Sequence, residues 1–136
     1  MAMEFSLGGF MSKKEQINYK MLINIDGRTC TFPGLLWRLL SNSVTLKQET
    51  EDIQWFYPAL KPWVHYIPLK RDMSDLVEKV KWVLANDGKA KKIAEQSTKF
   101  VKENLMMEDI DTYMVTLLNE YSKLRDSQIK DSSKKF

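Results

Sequence analysis

Cysteine occurs once, as Cys30, and histidine once, as His65. One thiol excludes an internal disulfide, and one thiol with one imidazole is too few soft ligands for a zinc centre, so no metal is expected. Long apolar runs are also missing, and no segment approaches the roughly 20 apolar residues that a membrane-spanning helix needs. A strong charge surplus is absent too. The sum of 21 Lys+Arg against 18 Asp+Glu leaves +3, too little to point to nucleic acid. Neither a GxGxxG turn nor a P-loop occurs. What is present is 136 residues with 43% apolar and 29% charged side chains, the composition of one globular domain.

The ends differ from the middle. Residues 1–16, MAMEFSLGGFMSKKEQ, carry Glu4 early, and Ser6, Gly8 and Gly9 break up the apolar letters. That is not the pattern of a secretory leader, and the segment reads as a flexible start. Residues 125–136, RDSQIKDSSKKF, hold four basic and two acidic residues with only Ile129 and Phe136 apolar, and read as a disordered basic tail. The expected domain is therefore residues 17–124.

Within it, Tyr19, Met21, Ile23 and Ile25 alternate with Lys20, Leu22 and Asn24, the period of a strand. Apolar Leu22 on the second face hints at burial on both sides. Asp26-Gly27 ends the strand. Pro33 can open a short helix with Leu35, Leu36, Leu39 and Leu40 on one face, stopped by Ser41-Asn42. Val44–Lys47 reads as a second strand, which makes a βαβ unit and forces parallel pairing. After an aromatic, proline-rich stretch, 64–69 reads as a third strand. Three amphipathic helices follow. The first carries Leu76, Val77, Val80, Val83 and Leu84, with Asp72 or Ser74 as N-cap and Asn86-Asp87-Gly88 as its stop. The second carries Ile93, Ala94, Phe100, Val101 and Leu105, and the third Ile110, Tyr113, Met114, Leu117, Leu118, Tyr121 and Leu124. The expected class is α/β, a thin parallel sheet covered by C-terminal helices.

Two stretches bear chemistry. Asp26 to Pro33 joins a strand to a helix start, the place where open α/β sheets bind phosphate. Gly27 allows close backbone approach, Thr29 and Thr31 offer hydroxyls, and Arg28 and Arg38 can neutralise a diphosphate without a metal. The competing reading is a tight turn with a threonine N-cap. The second stretch, Lys61-Pro62-Trp63-Val64-His65-Tyr66, reads as packing around a hydrogen-bonded histidine. Cys30 has no histidine near it in sequence to make it a nucleophile. The lysines at 89, 91, 92, 99 and 102 read as a solvated helix face.

Taken together, YKMLINIDG at 19–27, LLSNSVTLKQ at 39–48 and WFYPALKPWVHYIPL at 55–69 resemble glycosyltransferase family 90, the capsule-associated and Rumi-like protein O-glucosyltransferases. DMSDL at 72–76, AND at 85–87 and KIAE at 92–95 continue the resemblance, which covers about residues 19–123. It implies a Rossmann-like C-terminal lobe of a two-lobed GT-B enzyme, the half that holds the nucleotide sugar. It further implies UDP-glucose or UDP-xylose as donor, a protein (EGF-like domain) or glycan hydroxyl as acceptor, inversion at the sugar, and no metal or other cofactor. The family's catalytic base is an Asp of the N-terminal lobe, which has no counterpart here, so no residue of this chain is assigned as catalytic. The alternative implied by that absence is a truncated, non-catalytic relative acting as a binding or structural module.

The family's sugar-nucleotide loop follows an Asn-x-x-Gly turn, which carries over to Gly27, Arg28, Thr29, Cys30, Thr31 and Phe32. Many members have an Arg where this chain has Thr31, so Arg28 and Arg38 stand as alternative diphosphate ligands. By the same resemblance Ser43 and Lys47 line the same side of the cleft.

Overall fold

A computed structural model of the chain describes residues 9–29 and 33–133. It divides into two units, one running to Val101 and one starting at Lys102. The first opens with a single helical turn, α1 (Lys13–Gln16), in the stretch expected to be flexible. A capping box holds it: the Ser12 hydroxyl accepts from the Glu15 N–H while the Glu15 carboxylate accepts from the Ser12 N–H at 2.8 Å.

Three strands then form one all-parallel sheet in the order β1 (Met21–Asn24), β2 (Val44–Gln48), β3 (Ile67–Leu69). Met21 lies opposite Val44 and Asn24 opposite Lys47, while Leu46 lies opposite Ile67 and Gln48 opposite Leu69. Between β1 and β2 the chain forms α2 (Gly34–Leu40), whose Leu35 and Leu39 are fully buried and which packs on both strands. Asn42 then takes the left-handed conformation, φ 61°, in which asparagine commonly ends a helix. A 3₁₀ turn at Tyr57–Ala59 precedes β3.

After β3 come α3 (Leu76–Ala85) and α4 (Asp87–Asn104). Val83 of α3 and Ala90, Ile93 and Ala94 of α4 close over Val44, Leu46, Ile67 and Leu69 to make the main core. The opposite face of β2 carries Thr45 and Lys47, buried with Leu22 and Asn24 of β1. Asp75, not Asp72 or Ser74, occupies the N-cap position of α3, without a side-chain cap bond. The two aspartates instead brace the preceding turn: Asp75 accepts from the Lys70 N–H and Asp72 from the Ser74 N–H. That turn holds Met73 at a left-handed φ of 57°. Gly88 does not end α3, because α4 begins at Asp87 and Gly88 lies in its first turn.

Burial on β1 reverses the expected apolar face. Leu22 and Asn24 are buried, whereas Ile23 and Ile25 are 39% and 48% exposed. Among the described residues β1 is an edge strand, so α2 covers the Leu22 face while α3 and α4 reach only Met21 on the other. The second unit is dominated by α5 (Met107–Ser133). This helix runs through the stretch expected to be a disordered tail as far as Ser133, because 125–130 contain no proline or glycine to stop it.

Candidate functional site

A parallel sheet carries the residues that follow each strand to one end. Here Asp26 to Arg28, Gln48, Thr50 to Asp52 and Arg71 meet there around a cavity of about 300 Å³. Gln48, the last residue of β2, ties the rim together. Its Oε1 accepts from the Asp26 N–H at 3.3 Å and its Nε2 donates to the Arg71 carbonyl at 2.6 Å. The Thr50 hydroxyl donates to Asp26 at 2.6 Å, and Arg71 pairs with Glu51 at 2.8 Å. Both side chains of that last pair are well exposed, so it contributes little to stability.

Gly27 and Arg28 both line this cavity. Gly27 donates its N–H to the Thr29 carbonyl at 3.2 Å, and a Cβ added to it would meet nothing within 4 Å. Among the described residues nothing therefore requires glycine at 27. Thr29 is exposed, and Cys30, Thr31 and Phe32 lie outside the described residues.

Arg38 does not line the cavity. It projects from α2 toward the end of β1, where Nη1 donates to Asn24 Oδ1 at 3.3 Å and to the Gly34 carbonyl at 2.9 Å. Its guanidinium lies 4.6 Å from the Trp37 ring centre, and its buried Nε has no acceptor among the described residues. Burial lowers its pKa from the usual arginine value. Lys47 is buried beside it on the next strand, with Nζ 4.6 Å from the Tyr57 ring and donating to the Gln48 carbonyl. Arg38, bonded to Asn24, and Lys47, which lies opposite Asn24 in the sheet, are thus two partly or wholly buried cations near the carboxyl ends of β1 and β2.

Ser43 is not brought to this end. It precedes β2, so in a parallel sheet it stands about 16 Å away, five residues at about 3.3 Å each. There its hydroxyl donates to the Tyr19 carbonyl at 2.7 Å, beside a cavity of about 410 Å³ that also touches Lys20, Asp87 and Lys91. The resemblance grouped Ser43 with Lys47, and the structure sets the two at opposite ends of β2. Conversely, Gln48, Thr50, Glu51 and Arg71 were not singled out as lining residues from the sequence. The signal for them was topological: three parallel strands must deliver positions 48–52 and 70–72 to the end that holds Asp26-Gly27.

His65 behaves as a packed histidine. Its Nδ1 accepts from the Lys61 N–H at 3.0 Å, which leaves the proton on Nε2, and its ring lies 4.7 Å from that of Phe100. Burial first and the Lys61 charge second lower its pKa below the usual histidine value. Trp63 packs edge-to-face on Trp82 at 4.9 Å. Among the described residues no three His, Cys, Asp or Glu side chains cluster as metal ligands.

The geometry defines a Rossmann-like α/β unit with a polar, arginine-bearing cavity at the carboxyl ends of its strands. The chain belongs to glycosyl transferase family 90, whose family model matches residues 9–135. It is 41% identical over 109 residues to protein O-glucosyltransferase 1 of Homo sapiens, covering 80% of this chain and 28% of that protein. It is 37% identical over 110 residues to protein O-glucosyltransferase 3 of Homo sapiens, covering 81% of this chain and 22% of that one. Protein O-glucosyltransferase 2 of Danio rerio is 38% identical over 112 residues, covering 82% and 22%. The chain thus spans about a quarter of the length of these relatives.

Proposed function

We propose that this chain is the donor-binding part of a protein O-glucosyltransferase, the Rossmann-like half of a GT-B enzyme. The donor is a UDP-sugar, UDP-glucose or UDP-xylose, whose diphosphate lies along Asp26 to Thr29. One observation carries this reading: the cavity at the carboxyl ends of β1 and β2 presents open space at Gly27 beside the exposed Arg28. A backbone without a Cβ lets phosphate oxygens approach the N–H groups, and a guanidinium matches two of those oxygens at once. Arg38 and Lys47 add positive potential from behind and stabilise the charge that grows on the departing UDP. This neutralisation suits transfer without a metal.

Transfer also needs a base to take the proton of the acceptor hydroxyl as its oxygen attacks the sugar carbon. In this chain Asp26 accepts from Thr50, and Asp72 and Asp75 brace the turn before α3, so none of the three is assigned that role. The base belongs to the other lobe, by the family resemblance, and residues 1–136 alone transfer no sugar. Calorimetric titration with UDP tests the binding: Arg28→Ala should weaken it by roughly 1.5–3 kcal/mol. Equal affinity in the variant would refute the site. Radiolabelled UDP-glucose and UDP-xylose, with folded EGF-like domains and with glycans as acceptors, test the second claim, and robust transfer by this chain would refute it.

A further inference from the structure

Gln48 ends β2, the middle strand, and the turns at Asp26 and Arg71 follow the strands on either side of it. Those outer strands stand about 10 Å apart, two strand spacings, so a residue leaving the middle strand is well placed to reach both turns. The Gln48 side chain does so across 22 and 23 positions of sequence, accepting from the Asp26 N–H and donating to the Arg71 carbonyl. The partners fix the orientation of the carboxamide, since an N–H only donates and a carbonyl only accepts. A glutamate of the same size, ionised at neutral pH, could serve the first partner but not the second. The base of this clamp is held by the sheet: the Glu49 N–H continues the ladder to the Leu69 carbonyl at 2.9 Å. The Thr50 hydroxyl holds the Asp26 carboxylate from the same strand exit.

Both arginines of the cavity depend on the clamped atoms. Arg71 owns the clamped carbonyl, Arg28 stands two residues past the clamped N–H, and both side chains are exposed. We infer that Gln48 is a positioning residue of the donor site, holding Arg28 and Arg71 at the spacing at which both guanidiniums meet one diphosphate. Resting on the donor site proposed above, this role makes Arg71 a second phosphate ligand. In the free chain the Arg71 guanidinium rests on Glu51, with the two side chains 70% and 87% exposed, and a phosphate displaces so weak a pair.

Amide exchange of the ligand-free chain tests the clamp itself. Exchange at Asp26 should accelerate in Gln48→Ala and stay near the wild-type rate in Gln48→Glu, which keeps an acceptor for that N–H. Calorimetric titration then tests the role. Gln48→Ala should weaken UDP binding by about tenfold, with the fold retained by circular dichroism. Arg71→Ala removes a guanidinium but leaves the clamped carbonyl, so in that background the same change should cost only about threefold, the share of the Asp26 arm. An Asp26 amide that exchanges no faster in Gln48→Ala overturns the clamp whether or not UDP binds. UDP affinity unchanged in Gln48→Ala while Arg28→Ala weakens it overturns the positioning role and leaves the donor site standing. A loss that persists in full beside Arg71→Ala reports disturbed structure instead of a placed arginine, and overturns the role as well. A wild-type chain that binds no UDP, with the exchange effect intact, refutes the donor site and this role with it.

Discussion

At the amino ends of the strands lies a cavity of about 410 Å³, at their carboxyl ends one of about 300 Å³, and the smaller is the proposed donor site. The larger is lined by a surface ion pair, Lys20 with Asp87, and by side chains whose polar atoms serve the fold, as the Ser43 hydroxyl serves the Tyr19 carbonyl. The smaller gathers three strand-following segments, an open glycine and two arginines on its rim. Size does not select a site in a parallel sheet. Direction does, because the irregular segments that leave the strands converge on one end, where side chains are free to face a ligand.

The largest effect should come from a residue that serves both ends. Leu46 is fully buried in the middle of β2, and Leu46→Ala should cost about 2–5 kcal/mol in urea unfolding, abolishing UDP binding if the sheet is lost. Changes confined to one end should separate the two. Lys20→Ala, which removes the amino-end ion pair, should leave UDP affinity unaltered while Arg28→Ala reduces it. Gly27→Ala sharpens the contrast further. With nothing within 4 Å of the added methyl, the unfolding midpoint should stay where it is, while UDP affinity falls about tenfold, roughly 1.4 kcal/mol. The smallest effect concerns His65, whose folded pKa is lowered by burial and by Lys61. Below the unfolded value of 6.5 the unfolded chain binds the proton more readily. Stability is therefore full above about pH 6.5 and declines as pH falls toward the folded pKa. Unfolding midpoints between pH 7.5 and 5.5 should show a shallow acid-side loss that is absent in His65→Gln.

Much of this arrangement is legible in the sequence. The alternation around β1, the second strand at Val44–Lys47 and the Ser41-Asn42 stop follow from local periods and turn chemistry, and together they define parallel pairing. The turn at Asp26 to Arg28 follows from the same reasoning. What local pattern does not reveal is what covers a face. Tyr19, Ile23 and Ile25 form the more apolar side of β1, yet the helix that follows lies over Leu22 and Asn24, because the crossover to β2 passes on that side. The α5 stripe has helical spacing and only partial cover, and the polar composition of 125–133 says nothing against continuing a helix already formed. Ser43 shows the reverse problem. It stands four positions before Lys47 along the chain, but strand direction sends the two to opposite ends of the sheet.

The most direct test of the account is an amide-resolved titration of the whole chain with UDP. Perturbations should concentrate at Asp26 to Thr29, at Gln48 to Asp52 and at Arg71, with Ile17 to Lys20 and Ser41 to Val44 unmoved. Shifts confined to those amino-end residues, or to α5, would contradict it.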